Sequence, residues 1–265
     1  MRLAVLADIH ANPEALQAAV EDARTLGARS FVCLGDIVGY NSLPTRTIEL
    51  LRHLEVVCVQ GNHDLMALGE LTPDRCGPNA RRAIQWTREA LSADERAFLL
   101  SLPESCLLDG ETLLVHSALG DPVRYLRADE DYREARRAIG EAFPRVRICL
   151  TGHTHVGTVV EVDGLGRVRQ LGRSSRTLRT DCFYFLNPGS VGHPRQEDYR
   201  ASYLIYDAGA RRTRFRKIAY NREAVRAENL KHDIHTDLGP SVLEHSWSAA
   251  KQSLRAIARR TGLAR

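Results

Sequence analysis

Leu3-Ala4-Val5-Leu6-Ala7-Asp8-Ile9-His10 decides how this chain folds. Five apolar residues, the length of a buried strand, run straight into a carboxylate and an imidazole. A helix follows at once. Asn12 can cap it and Pro13 suits its first turn. Leu16, Ala19, Val20 and Ala23 then keep helical period until Gly27. The same unit recurs. Phe31-Val32-Cys33-Leu34 ends at Gly35-Asp36, Pro44 opens a helix through Leu51, and Val56-Val57-Cys58-Val59 ends at Gly61-Asn62-His63-Asp64. This β-α-β-α-β rhythm predicts a parallel sheet with helices on its faces. In such sheets ligands gather at the carboxyl ends of the strands, where these polar clusters fall.

The rest of the chain adds a second sheet. Residues 78–100 read as two short helices, the second with a capping box of Ser92 and Glu95. Asp109-Gly110 is a hairpin signal, and the run Thr112 to Val115 after it delivers His116. A helix near 131–143 leads to a strand from Val146 to Leu150 that delivers Gly152-His153-Thr154-His155. Beyond it the pattern turns to hairpins (156–162, 164–171, 183–186, 203–206 and 213–218), so the second half reads as a mostly antiparallel sheet. The simplest assembly is an α/β fold, a four-layer α/β/β/α sandwich of two mixed sheets flanked by helices. The expected organisation is a domain over 1–220 and a basic helical extension over 221–265.

Hydrophobic residues at 43% and charged residues at 26% are ordinary for a globular protein. No run of about 18 apolar residues suggests a membrane span, and the N-terminus lacks the pattern of a signal peptide. The six cysteines form no Cys-x-x-Cys pair and lie mostly in apolar runs. They read as reduced core residues of a cytoplasmic protein. From Arg211 onward 13 Lys and Arg stand against 5 Asp and Glu, whereas the first 210 residues hold 24 against 28. Such a basic tail can meet nucleic acid, but it carries no interleaved aromatics and is read first as a solvated helical face. Val242, Leu243, Trp247 and Leu254 offer apolar anchors for packing on the core or for an oligomer.

Five clusters of hard oxygen ligands and imidazoles therefore punctuate the strand ends: Asp8-x-His10, Gly35-Asp36, Gly61-Asn62-His63-Asp64, His116 and Gly152-His153-x-His155. Together they suffice for two divalent cations sharing one carboxylate. Mixed nitrogen and oxygen ligation favours manganese, with iron, zinc or nickel as alternatives, over calcium or magnesium.

This set, in this order, resembles the calcineurin-like metallophosphoesterase family across residues 1–210. Ile37-Val38-Gly39-Tyr40 and Asn187-Pro188-Gly189-Ser190 resemble its small bacterial phosphodiesterase-type members. The resemblance implies one metal on Asp8, His10, Asp36 and His155, and another on Asp36, Asn62, His116 and His153. It implies His63 beside the leaving group, oriented by Asp64. The implied reaction is hydrolysis of a phosphodiester or nucleotide-like substrate by in-line attack of a metal-bridging hydroxide. A phosphomonoesterase or a dinucleoside polyphosphate hydrolase on the same centre is the alternative. An alternative of another class is a non-catalytic scaffold binding a protein partner.

Two residues depart from relatives: Asn41 and Ser117 stand where glycines are usual, both next to candidate ligands. Tyr40, Asn41 and Arg195 are candidate substrate contacts. Tyr40 either lines the pocket or fills the core, and Arg195 reads first as a surface arginine. Asn62 alone would cap the helix after Gly61, and here it could serve both roles. His232 and His235, three apart in an expected helix, read as exposed. The turn at 187–190 reads as structural.

Overall fold

A computed structural model describes residues 2–195 and 198–240. In chain order its elements are β1 (Arg2–Leu6), α1 (Pro13–Thr25), β2 (Ser30–Cys33), α2 (Pro44–His53), β3 (Val57–Cys58), α3 (Asn62–Leu68), α4 (Pro78–Ala90), α5 (Ala93–Ser101), β4 (Ser105–Leu107) and β5 (Thr112–Val115). There follow α6 (Asp129–Ala142), β6 (Ile148–Leu150), β7 (Thr158–Val162), β8 (Val168–Gly172), β9 (Arg176–Thr177), β10 (Phe183–Asn187), β11 (Ala201–Asp207), β12 (Arg212–Ile218) and α7 (Arg222–Lys231).

The strands form two six-stranded sheets, ordered β3-β2-β1-β11-β12-β9 and β4-β5-β6-β10-β7-β8. Alternation along the strands sorts side chains into layers. Ala4 and Leu6 of β1 face the helices α1 and α2, together with Phe31, Ile48 and Tyr203. Leu3 and Val5 face the other way, against Leu114, Ile148, Tyr184 and Leu204 between the sheets. Val115, Phe183 and Phe185 pack outward on Tyr132 and Ile139 of α6. Three apolar layers between four layers of structure make the expected α/β/β/α sandwich.

The division of the sheets differs from the expectation of a parallel first half and an antiparallel second half. β11 pairs antiparallel with β1, so the last hairpin completes the first sheet. β5, β6 and β10 are mutually parallel, so the second sheet carries its own parallel core. Hydrophobic alternation identifies strands but not their partners, and β1 is apolar on both faces because both neighbours bury it. The two-residue β9 gave no sequence signal of its own.

Local signals hold where side chains act on their own backbone. Asn12 Oδ1 accepts from the Ala15 N–H at 3.0 Å and caps α1. Ser92 and Glu95 make the reciprocal capping box of α5. His232 and His235 lie beyond the end of α7, not within a helix: the His232 ring stacks on Trp86 with centroids 3.9 Å apart, and exposed His235 bonds Asp233. His245, which reads from the sequence as structural or exposed, and the apolar anchors 242, 243, 247 and 254 lie outside the described residues. Among the described residues no helix is long and apolar enough to cross a membrane.

Asn12 also donates from Nδ2 to the Gly192 carbonyl at 3.0 Å, tying α1 to the loop after β10. Replacing it by alanine removes a cap and this buried bond. Asn12→Ala is expected to cost about 2 kcal/mol, measured as a lower denaturation midpoint with an unchanged m value. An unchanged midpoint would contradict the role given to it.

Candidate metal centre

The site lies where strands of both sheets end. Asp8 and His10 follow β1, Asp36 follows β2, and Asn62 and His63 open α3 after β3. His116 follows β5, and His153 and His155 follow β6. The tight approach of the first loops depends on two glycines. A Cβ on Gly35 would stand 2.6 Å from the Gly61 backbone, and one on Gly61 would stand 2.2 Å from Asp36 atoms. Only backbone fits there, which is why Gly precedes Asp36 and Asn62.

The chain between the strands is strained. Ten described non-glycine residues have positive φ, and seven of them are Asp8, His10, Ala11, Asp36, Tyr40, His153 and His155. Each such residue costs roughly 1–2 kcal/mol. Strain of this kind persists only where the surroundings hold it, and it clusters at functional sites.

The ligand atoms converge. Asp36 Oδ2 lies 3.6 Å from His10 Nε2 and 3.5 Å from His116 Nε2. Asp8 Oδ1 is 3.4 Å from His155 Nε2, which is 3.1 Å from His10 Nε2. His116 Nε2 is 2.9 Å from Asn62 Oδ1 and 3.3 Å from His153 Nδ1. Two groups able to hold a cation result: Asp8, His10, Asp36 and His155, and Asp36, His116 and His153. Asp36 belongs to both. Asn62 turns its amide oxygen toward the second.

Backbone carbonyls fix the protonation of the four imidazoles. His10 Nδ1 faces the Val38 carbonyl at 3.2 Å, His116 Nδ1 that of Leu34 at 2.7 Å and His155 Nδ1 that of His193 at 2.5 Å. His153 uses Nε2, 3.2 Å from the Val123 carbonyl. A carbonyl only accepts, so these nitrogens carry the protons and the others turn lone pairs inward. Lone pairs then face lone pairs at 3.1 and 3.3 Å, and the buried oxygens Asp8 Oδ2 and Asp36 Oδ2 have no hydrogen-bond partner. A cluster of buried acceptors without donors repels itself. A pair of divalent cations fits this donor set.

The charges respond accordingly. Burial, and then Asp36, push Asp8 well above its ordinary value. Burial pushes Asp36 up to about 7. Burial pushes His10 and His155 well below theirs, His116 down to about 4 and His153 to about 3. Neutral imidazoles are the ligand form.

His63 stands apart from the donor set. Its ring stacks under Tyr40 with centroids 4.7 Å apart, meets His10 edge-on at 4.8 Å, and its buried Nδ1 has no partner. Asp64 does not orient it, contrary to expectation. Asp64 accepts from Gly61 N at 2.9 Å, Ile37 N at 2.9 Å and Val38 N at 3.1 Å, so it holds the loop after Asp36 and the start of α3. With Gly61 as the cap residue, Asn62 takes no capping role and is left to the site.

A cavity of about 430 Å³ opens over these groups, lined by Asp36, Tyr40, Asn62, His63, Val123, Tyr125, His153, His155 and Arg195 among others. Tyr40 therefore lines the pocket, held between the rings of His63 and His193. Arg195 reaches it and donates to the Tyr125 hydroxyl at 3.2 Å. Asn41 does not reach it: its side chain is fully buried, with Nδ2 on the His10 carbonyl at 2.7 Å, which corrects its reading as a substrate contact. Ser117 bonds the Arg124 carbonyl and so holds the loop that carries Val123 and Tyr125. The 187–190 turn is structural: Asn187 Nδ2 binds the Gly152 carbonyl at 2.5 Å and Ser190 Oγ the Asp8 carbonyl at 2.8 Å. Tyr125 gives no signal in the sequence, and His193, which has no evident partner there, reads from it only as structural or exposed; the structure stacks it on Tyr40 and sets its carbonyl against His155 Nδ1. Both sit in loops at no ligand spacing, and His193 serves through its backbone carbonyl, which any residue has.

Residues 1–211 match the calcineurin-like phosphoesterase superfamily domain. An uncharacterized protein of Methanocaldococcus jannaschii is 33% identical over 208 residues, covering 77% of this chain and 82% of its own. A metallophosphoesterase from Sphaerobacter thermophilus superposes with a TM-score of 0.73 at 32% identity, over 90% of this chain and 97% of that one. A hypothetical protein of Pyrococcus horikoshii shares the fold at 18% identity, with a TM-score of 0.72 over 89% and 95% of the two chains. With its ligand-bearing loops at the ends of two stacked mixed sheets, the chain belongs to the calcineurin-like phosphoesterase superfamily.

Proposed function

We propose that this protein is a dinuclear-metal phosphoesterase that hydrolyses a phosphodiester or nucleotide-like substrate. The observation that carries the reading is the set of inward lone pairs of His10, His116, His153 and His155 around two buried, partnerless carboxylate oxygens. In this reading Asp8, His10, Asp36 and His155 hold one cation, and Asp36, Asn62, His116 and His153 the other. Manganese suits the mixed donors. Bound there, the cations supply a water activated at neutral pH and positive charge for the phosphoryl oxygens.

The remaining work falls to side chains over the donor set. His63 gives a proton to the departing oxygen, so the alcohol leaves neutral. Burial, and then His116 and His153, push its pKa well down. An anionic phosphate in the cavity opposes that shift and helps the ring take up its proton. Tyr40, stacked on His63, keeps the ring in place. Arg195 can grip a phosphate oxygen, steadied by the bond it donates to the Tyr125 hydroxyl, while the Tyr125 ring packs against His153 with Arg127 over it. A cavity this size admits a nucleotide-sized ester.

Saturating Mn2+ at pH 7.5 should stabilise chelator-treated protein by about 2.7 kcal/mol per site at 100 times Kd, read as a Tm increase of roughly 5–10 °C for each site filled. The pH dependence follows from Asp36. Its folded value, about 7, exceeds the unfolded one, so the metal-free folded state loses stability as pH rises from the unfolded value to about 7. Protons compete with cations in that same window. The Mn2+ increment should therefore be largest above pH 7 and shrink toward pH 5. An increment that grows on acidification would contradict this assignment.

Mn2+-loaded protein should hydrolyse bis-p-nitrophenyl phosphate. His63→Ala should bind Mn2+ as the parent does, and lower kcat by about 10²–10⁴ for alkyl leaving groups, with a smaller loss for p-nitrophenolate, which departs unaided. Equal losses for both leaving groups would refute proton donation by His63. A metal-loaded protein inert to mono-, di- and pyrophosphate esters would refute the enzymatic reading and favour a binding scaffold.

A further inference from the structure

The stretch that matches the family domain ends at residue 211, yet the chain beyond it reaches back to the site. Asn229, two residues before the end of α7, is buried against the loop after Asp36. Its Nδ2 donates to Asn41 Oδ1 at 2.8 Å. Its Oδ1 accepts from the Ser42 N–H and the Ser42 hydroxyl, both at 2.9 Å. Asn41 passes the connection on through its Nδ2, which donates to the His10 carbonyl at 2.7 Å. Nearby, the Thr236 hydroxyl donates to the Tyr40 carbonyl.

These bonds fall on strained backbone. Tyr40, His10 and Ala11 have φ of 54°, 50° and 53°. Such conformations relax unless neighbours over-determine them. The relay also has a direction. Asn41 spends its donor on His10, so its oxygen needs a donor, and Asn229 supplies one while turning its own oxygen to the two donors of Ser42. Both side chains are buried, so water cannot replace a lost partner without cost.

We propose that Asn229 is a positioning residue for the metal centre. Acting through Asn41, it holds the His10 carbonyl and so sets where the His10 imidazole stands, while Thr236 holds the Tyr40 carbonyl beside it. The C-terminal helix is thereby part of the site's support. This inference rests on the metal reading proposed above.

The test is calorimetric titration of the chelator-treated full chain with Mn2+, alongside its metal-free Tm. Asn229→Asp keeps the volume and the acceptor for Ser42 but cannot donate to Asn41. Both Asn229→Asp and Asn229→Ala are expected to weaken one of two Mn2+ sites by about 10–100-fold, leaving the other within about twofold. The aspartate variant carries the test if the alanine variant does not fold. Val225→Ala, which opens a buried position on the same helix, is expected to lower Tm with both affinities intact. The double variant Asn41→Ala/Asn229→Ala should lose no more affinity than the worse single variant. Unchanged affinities in the Asn229 variants, an equal loss in Val225→Ala, or additive losses in the double variant would overturn the proposal and leave the metal reading standing. A wild-type protein that binds no Mn2+ would overturn both.

Discussion

The Asp36 carboxylate is the constraint around which the rest is arranged. One oxygen accepts the His63 N–H at 2.8 Å, which seats the start of α3. The other has no donor and stands between two imidazole nitrogens 3.6 and 3.5 Å away, one from each sheet. Burying a carboxylate with its second oxygen unpaired costs several kcal/mol. Surrounding it with more lone pairs adds to the cost. A fold that concentrates such groups is organised for positive charge brought from outside, and the proposed pair of cations sharing Asp36 rests on the two donor groups that have this carboxylate in common.

The sandwich makes this arrangement rigid. Asp8, Asp36 and Asn62 hang from one sheet, His116, His153 and His155 from the other, and the apolar layer between the sheets sets their separation. Backbone carbonyls lock each imidazole, and the Gly35–Gly61 contact lets two loops touch where any side chain would intrude. Strained residues at Asp8, His10, Asp36, His153 and His155 are tolerated because each is tied into this frame.

Much of this was legible in the sequence because it is local. An apolar run ending in Asp8-x-His10 and a capped helix at Asn12 give strand, turn and ligand in one reading. The five clusters in order gave the family. What the sequence withheld depends on partners distant in the chain. β11 could not be assigned to β1, because two half-buried apolar strands accept many neighbours. Adjacency in sequence pairs Asp64 with His63, whereas its bonds run to Gly61, Ile37 and Val38. Asn41 looked like a pocket residue because it departs from a common glycine. Its actual partner, Asn229, lies 188 positions away. That pair also shows why the substrate was not readable: Tyr125 and Arg195 meet over the cavity from two separate loops.

The proposed function turns on one buried carboxylate, Asp36, joining two cations. Electron paramagnetic resonance of the chelator-treated protein titrated with Mn2+ reads this directly. Two ions bridged by Asp36 lie about 3.5–4 Å apart, so two equivalents per chain should give an exchange-coupled multiline signal, lost in Asp36→Ala. An uncoupled six-line spectrum at saturation, or saturation at one ion per chain, would contradict it.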